Sequence, residues 1–402
     1  MIEIQGKYNK AKVFTDNVED AAYKQILNLM NQKFAEGSNI AVMPDCHAGA
    51  GCVIGLTMTL VDRVVPNLVG VDIGCGMLVF KVDKSFNMDL KLMDEIWHNE
   101  IPSGMNHRDK KHQFADGIPL EDIIAPINAE KLRYSIGTLG GGNHFGEVDV
   151  DEDGDYYIVI HSGSRHLGVE ICRYYQDLAV KYHKENRVFE QDIIDRLKKQ
   201  GREKEIEKEL ARFHSEKVSV PNELAYLVGS LMDDYLHDMD IAQRYASLNR
   251  MAMMKTITDI MRIPITKVKG QFCTIHNYID IEQKILRKGS ISLLKGERAI
   301  IPMNMRDGSL IVEGNGNPEW NFSGPHGAGR IMSRSKAKEV LNVDEFKESM
   351  NGIYTTCVGR KTIDESPMEY KPMEEIVSNI KETADIVKVI KPIYNFKAED
   401  AG

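Results

Sequence analysis

In "NFSGPHGAGRIMSRSKAK" a single histidine, His326, stands against a glycine turn, with Arg330, Arg334, Lys336 and Lys338 behind it. A neutral imidazole attacks phosphorus and gives a labile phosphoramidate, which suits covalent phosphoryl or nucleotidyl transfer. The glycines of "HGAG" let backbone N–H groups approach phosphate oxygens, and the cations can neutralise phosphate charge. A loop histidine capping a helix that begins near Ser333 gives the same local pattern, so this stretch leaves nucleophile and cap open. The sequence contains no GxxxxGK[ST], which excludes a P-loop.

A second set of residues has the chemistry of metal ligands. "GVDIGCGM" places Asp72 and Cys75 across a glycine turn, "GTLGGGNHFGEV" presents His144 between Asn143 and Glu147, "VIHSGSRHLG" gives His161 with Arg165 after it, and "CTIHNYID" gives His276 before Asn277. A thiolate is soft and can bridge two ions, whereas a carboxylate suits Mn²⁺ or Mg²⁺. Taken singly, each is equally a turn aspartate, a packed cysteine or a hydrogen-bonded histidine. Taken together, five ligands exceed a closed tetrahedral zinc site and suit two adjacent divalent ions with open positions, the arrangement used in phosphoryl chemistry. His47, with Asp45 in "MPDCHAGAG", either lines the site or braces a turn.

The elements that must position these groups read as mixed α/β. A helical stretch over 19–35 precedes a short strand in "NIAVMPDCHAGAG". "NLVGVDIGCGMLVFKV" reads as two apolar strands around a glycine turn, "DYYIVIHSGSRHLG" as a strand ending in a turn, and "GQFCTIHNYIDIEQ" as a strand with His276 inside it. A helical section spans about 168–262, and its Lys/Arg–Glu alternation from Glu185 to Lys217 reads as a solvated arm. After "RAIIPMNM" the pattern returns to strands and then two helices. The chemically capable residues collect at strand ends and glycine turns from residue 45 to 397, which argues for one catalytic domain.

Composition narrows the function class. The 402 residues are 42% hydrophobic and 28% charged, with net charge −9, as for a soluble globular protein. A nucleic-acid substrate would need locally concentrated positive charge, because the global balance is acidic. Six cysteines without a CxxC pair read as thiols rather than a disulfide framework. The sequence has neither an apolar run of about 18 residues nor a signal-like N-terminus, so the expected location is cytoplasmic.

"MPDCHAGAG", "GVDIGCGM", "GTLGGGNHFGE", "HSGSRHLG", "HNY", "RKGS", "HGAGRIMSR" and "IDESPMEYK" occur in the order found in the RtcB-type RNA ligase family, and from about Val42 to Lys397 the chain resembles that family, in its shorter bacterial branch. The resemblance implies an α+β fold in a single large domain over 1–402, with mixed sheets around a central metal and nucleotide cleft and the helical section as an insertion. It implies a GTP- and Mn²⁺-dependent ligase that joins an RNA 3′-phosphate or 2′,3′-cyclic phosphate to a 5′-hydroxyl through a histidine–GMP intermediate at His326. Two Mn²⁺ ions would be held by Asp72, Cys75, His144, His161 and His276, with Cys75 as the bridge. Asn143, Glu147, Asn277, Pro302, Asn304, Ser309, Gly327, Ala328, Gly329, Tyr370 and Lys397 match nucleotide-binding positions, and Arg165 matches a phosphate- or RNA-binding arginine. An archease-type activator is a possible partner, as for some relatives; no membrane association is implied.

One place departs from the family pattern. Where "PGSMG" is usual, this chain has "PMNMR", Pro302 to Arg306. Met303 is expected to add bulk, to strain any backbone with φ > 0, and so to bear on how guanine fits. Arg306 adds a charge, and the tail "NFKAEDAG" runs past Lys397. Two other readings follow: a metal-dependent RNA-end phosphatase or cyclic phosphodiesterase that has lost ligation, and a non-catalytic RNA-end-binding protein.

Overall fold

A computed structural model describes residues 1–184, 187–215 and 220–398. Two sheets dominate. The first has six strands in the order Ile2–Gln5, Lys10–Val13, Ile40–His47, Ile54–Thr59, Ile285–Lys288 and Asn277–Asp280. The second has seven, ordered Val268–Ile275, Gly76–Val82, Tyr156–Ser162, Phe145–Val150, Ala384–Lys397, Gly308–Gly314 and Arg298–Asn304, and every neighbouring pair is antiparallel. The seven-stranded sheet curls until its edges approach: Ile300 N on one edge donates to Thr274 Oγ1 on the other at 3.1 Å. Its inner face closes over Met77, Val79, Val159, Ile300 and Ile390. This is a mixed α+β architecture in a single large domain.

The alternation of inward apolar residues explains the central strands, since "MLVFKV" and "YYIVIHS" present every second side chain to the curled interior. Other sequence readings change. The first apolar run of "NLVGVDIGCGM" forms a 3₁₀ turn, Pro66–Leu68, and only Gly76–Val82 is a strand; Pro66 fixes φ and lacks the N–H a ladder needs. "GQFCTIHNYID" is two strands, one in each sheet, and His276 sits where the chain crosses between them. Among the described residues the helical section is four α-helices, His166–His183, Arg187–Lys199, Ile206–Ser215 and Gly229–Ile260. Before the last of them the chain turns at Pro221, and Leu227–Val228 pairs with Arg63–Val64. The C-terminal strand Ala384–Lys397 holds Pro392 at a register shift, where a missing N–H does no harm.

The helix Gly229–Ile260 carries the interior of the helical section, with Tyr235, Met239, Ala242, Tyr245 and Ile257 buried. Trp97 stacks on Phe396, tying the helix Leu90–Asn99 to the C-terminal strand, and Trp320 stacks on Phe14. Among the described residues no helix is long and apolar enough to cross a membrane.

Candidate metal and nucleotide site

Antiparallel pairing brings distant residues to one rim of the seven-stranded sheet. His276 follows the first strand in spatial order, Cys75 precedes the second, His161 lies near the end of the third and His144 precedes the fourth. Lys397 ends the fifth, opposite Phe145. Backbone bonds fix the rim: His276 N donates to Cys75 O at 2.9 Å, and Gly74 N donates to Asn277 O at 2.7 Å.

The five candidate ligands converge there. Cys75 Sγ lies 3.2 Å from His161 Nε2 and 3.4 Å from His144 Nε2. His144 Nε2 is 2.9 Å from Asp72 Oδ2, and His161 Nε2 is 3.4 Å from His276 Nε2. The atoms form two overlapping sets, Cys75–His161–His276 and Asp72–Cys75–His144, that share the sulfur. Gly163 makes room for Asp72, because a Cβ there would fall 2.0 Å from Asp72 Oδ1.

The donor set fits divalent ions on its own chemistry. His161 Nδ1 meets the Asn143 carbonyl at 3.2 Å, which fixes the tautomer and leaves Nε2 a lone pair. Burial holds His161 and His276 well below the ordinary histidine pKa, so both are neutral. Burial opposes charge on Asp72, yet His144 and the Cys75 contact bring its pKa down to about 2. Burial, then the Asp72 charge, pushes the Cys75 thiol well up; a bound cation would supply the charge that makes it a thiolate. Three imidazole nitrogens, a sulfur and a carboxylate oxygen crowd together at these distances, and His144 Nδ1 and His276 Nδ1 are buried without a hydrogen-bond partner.

Beside this cluster is a cavity of about 690 Å³, lined from both sheets by His47, Ile54, Met77, Glu147 and His161 among others. Its size is that of a small-ligand site, roughly 300–1,000 Å³. Asp72, Cys75, His161, His276, Asn143, Glu147, Asn277, Pro302, Asn304, His326, Gly327, Ala328, Gly329, Tyr370 and Lys397 all face it. His144, Ser309 and Arg165 stand outside its lining. His144 joins through Asp72 and Cys75, and Ser309 is buried beside the Glu147 carboxyl. Arg165 donates to Thr138 Oγ1 at 2.9 Å and to the Gly104 carbonyl at 2.6 Å, with Gly140 wedged between it and His144.

His326 follows the short strand Ser323–Pro325, and its ring lies tilted beside that of His276, the centroids 4.8 Å apart. Its Nδ1 is 2.6 Å from Asp45 Oδ2, which also accepts from the backbone N–H groups of His326 at 3.0 Å and Gly327 at 3.3 Å. A carboxylate partner places the proton on Nδ1 and leaves the Nε2 lone pair free. The capping alternative fails: the helix Arg334–Val340 is capped by Ser333, whose hydroxyl accepts from Lys336 N. Gly329, at φ +76°, passes against the Asp45 backbone, where a Cβ would fall 2.5 Å from the Asp45 carbonyl oxygen.

Beside the same rim, Lys397 is ion-paired with the buried Glu365, and its ammonium donates to the Asn143 carbonyl at 3.4 Å. Tyr370 Oη donates to Glu365 Oε2 at 2.9 Å, and Arg330 bonds Glu365, Glu369 and the Asp364 carbonyl. Burial raises the Glu365 pKa, but Lys397, Arg334 and Arg330 bring it down to about 2. Arg330 and Arg334 are therefore paired with carboxylates rather than free for phosphate, which corrects the sequence reading of both; Lys336 pairs with Glu339 on the exposed surface. Glu365 and the pairing of Asp45 with His326 are what spacing missed. Asp45 is 281 residues from His326, and no local pattern announces the pair.

"PMNMR" forms the turn between Arg298–Asn304 and Gly308–Gly314. Met303 is 2% exposed and packs in the cluster that contains Ile301 and Ala328. Its φ is not positive, so the anticipated strain does not arise. Asn304 Oδ1 accepts from the N–H groups of Arg306 and Asp307, and its Nδ2 donates to Asp307 Oδ2 at 2.8 Å, so the side chain is used by its own turn. Arg306 pairs with Asp307, which offsets the added charge. Residues 399–402 of the tail lie outside the described residues.

Comparison with known proteins finds one family. A family model described as tRNA-splicing ligase RtcB matches residues 25–124 and 119–398. The RNA-splicing ligase RtcB of Escherichia coli (strain K12) is 30% identical over an alignment covering 94% of each chain. The tRNA-splicing ligases RtcB of two archaea are more distant: that of Aeropyrum pernix is 26% identical, covering 83% of this chain and 82% of its own, and that of Methanococcus maripaludis is 25% identical, covering 97% and 94%.

Proposed function

The chain belongs to the tRNA-splicing ligase RtcB family, and on that premise we propose that it is a GTP- and Mn²⁺-dependent RNA ligase joining 3′-phosphate or 2′,3′-cyclic phosphate ends to 5′-hydroxyl ends. The observation that carries the reading is His326, its Nδ1 held by Asp45 at 2.6 Å and its free Nε2 beside the metal-ligand cluster. His326 Nε2 attacks the α-phosphorus of GTP; the N–P bond forms as the bond to pyrophosphate breaks. A 2′,3′-cyclic end is first opened by water to the 3′-phosphate; the GMP then passes to the 3′-phosphate, and the 5′-hydroxyl displaces it to form the phosphodiester. Asp72, Cys75, His144, His161 and His276 would hold two divalent ions, which supply Lewis-acid polarisation of the phosphate oxygens and charge stabilisation. Asp45 keeps the proton on Nδ1 through nucleophilic attack. Glu147 accepts from the N–H edge of guanine, Tyr370 and Lys397 bound the base, and Arg165 contacts RNA phosphate beside the His144 loop.

In Mn²⁺ with α-labelled GTP the protein acquires acid-labile, alkali-stable label, and His326→Ala does not. An unlabelled wild type, or a fully labelled His326→Ala, removes the nucleophile. A 3′-phosphate/5′-hydroxyl RNA pair offered with GTP, and with ATP as control, separates sealing from mere end hydrolysis.

A further inference from the structure

Along Phe145–Val150 every second side chain points into the curled sheet, so Phe145, Glu147 and Asp149 share one face. Phe145 and Glu147 reach the cavity; Asp149 lies one step deeper, with no exposed surface. Neither oxygen of the Asp149 carboxyl receives a hydrogen bond from an N–H or O–H group. The hydroxyl of Tyr157, its cross-strand neighbour, donates instead to Asp151 at 2.9 Å. Glu147 is the next residue along the strand on the same face, and its carboxyl is the charged group that acts on Asp149. Glu147 is better served: Asn395 Nδ2 donates to Oε2 at 3.0 Å, Ser309 lies against it, and the Lys397 ammonium is on the cavity side.

Two buried carboxyl groups in contact cannot both carry charge, and two acceptors facing one another are satisfied only with a proton between them. We propose that Asp149 and Glu147 share one proton, and that Asp149 is a positioning residue that donates it to Glu147 and so keeps Glu147 an anionic acceptor facing the nucleotide base. The inference rests on the guanine-binding reading above. Burial pushes Glu147 up to about 7 and Asp149 well above its ordinary range, so the proton that remains at neutral pH belongs on Asp149. Lys397, from the Ala384–Lys397 strand and paired with Glu365, also acts on the pair, and its charge favours the Glu147 carboxylate. The strand Gly308–Gly314 contributes the neutral Ser309. A guanine edge presents two N–H donors to such an acceptor, and an adenine edge does not. Below about pH 7 Glu147 takes up a second proton and becomes a donor, and the preference for guanine declines.

The test is calorimetric titration of GMP, with AMP as control, across pH 7 in the wild type, Asp149→Asn and Asp149→Leu. In the wild type GMP affinity falls by up to about tenfold per pH unit on the acid side of the inflection, and AMP affinity does not. Asp149→Asn supplies an amide N–H in place of the shared proton and is as neutral as the protonated Asp149 it replaces, so GMP binding survives with its inflection close to that of the wild type. Asp149→Leu removes the donor and moves the inflection up. A pH-independent wild-type affinity, or the same inflection in both variants, overturns the proposal; a packing role alone would not separate Asn from Leu. Infrared difference spectra keep it distinguishable from the GTP reading. A protonated-carboxyl band at neutral pH that Asp149→Asn abolishes supports the shared proton even if GMP fails to bind and the nucleotide reading falls. A spectrum without that band refutes the shared proton. Should Asp149→Leu fail to fold, the near-isosteric Asn variant and the band decide.

Discussion

At the scale of the residue, the chemistry turns on which nitrogen of His326 carries a proton. Asp45 Oδ2 accepts from Nδ1 and from two backbone N–H groups, so it sets tautomer and loop conformation together. Asp45→Asn preserves the shape but can turn its amide N–H₂ toward Nδ1, which moves the imidazole proton to Nε2 and removes the lone pair that attacks. Rates of GMP attachment should fall by about two orders of magnitude or more, by the logic of wrong-tautomer carboxamide substitutions in nucleophile–base pairs. GTP affinity should stay within a few-fold of wild type; quench-flow labelling and calorimetry measure the two separately. A matching loss of affinity would mean that Asp45 serves the pocket rather than the ring. Cys75→Ser probes the other set: the shared sulfur becomes a harder, less polarisable oxygen, and Mn²⁺ stoichiometry should drop from two to one or fewer with activity. Two ions retained at low micromolar Mn²⁺ would count against the bridge. Both readings began from residue types visible in the sequence, but the Asp45 partnership did not, because 281 residues separate donor and acceptor.

At the scale of the element, one helix clamps the loops that carry the ligands. On Gly229–Ile260, Asn249 Oδ1 accepts from Gly137 N at 2.8 Å and Thr138 N at 3.1 Å, while its Nδ2 donates to Thr138 O, Ser162 Oγ and Gly163 O. Arg250, buried next to it, donates from Nη1 to Gly74 O and to Ser162 O, each at 2.8 Å. Two consecutive residues thus hold the Asp72–Cys75 turn, the loop leading to His144 and the turn after His161. Arg250→Lys keeps the charge but loses the planar fork. Mn²⁺ affinity should weaken by about 10- to 100-fold, the usual cost of disturbing groups that orient ligands, with helix content unchanged. Titration of Mn²⁺ followed by circular dichroism checks it; unaltered affinity would reduce the clamp to scaffolding. The sequence shows "SLNRM" as one more helical stretch, and polar residues on a buried face carry no sign of what they bond. The same limit applies to "PMNMR": bulk at Met303 beside the cavity was legible, but the register shift next to it and its packing in an apolar cluster were not.

At the scale of the whole molecule, strands and glycine turns were legible from alternation, whereas the order in which the strands pair was not. That order makes the site: four ligands stand at the ends of four neighbouring strands of one curled sheet, and Asp45, which holds His326, comes from a strand of the other sheet. Ligands drawn from residues 72 to 276 couple ion binding to the integrity of the domain, because the unfolded chain offers no such cluster. The sign of the pH dependence follows. Burial depresses the pKa values of His161 and His276 well below 6.5, so from about 6.5 downward the unfolded chain binds more protons than the folded one. The stability these groups contribute is present above that value and lost as pH falls. Cys75 acts in the same direction on metal binding, since its raised thiol must surrender a proton to the ion. In calorimetric unfolding, chelated protein should lose Tm on acidification below about pH 6.5. Mn²⁺ at about 100 times its Kd should add roughly 2.7 kcal/mol, and the increment at a fixed Mn²⁺ concentration should grow toward alkaline pH. Stabilisation that is independent of Mn²⁺, or that grows on acidification, would separate the cluster from ion binding and return His144, His161 and His276 to a structural role.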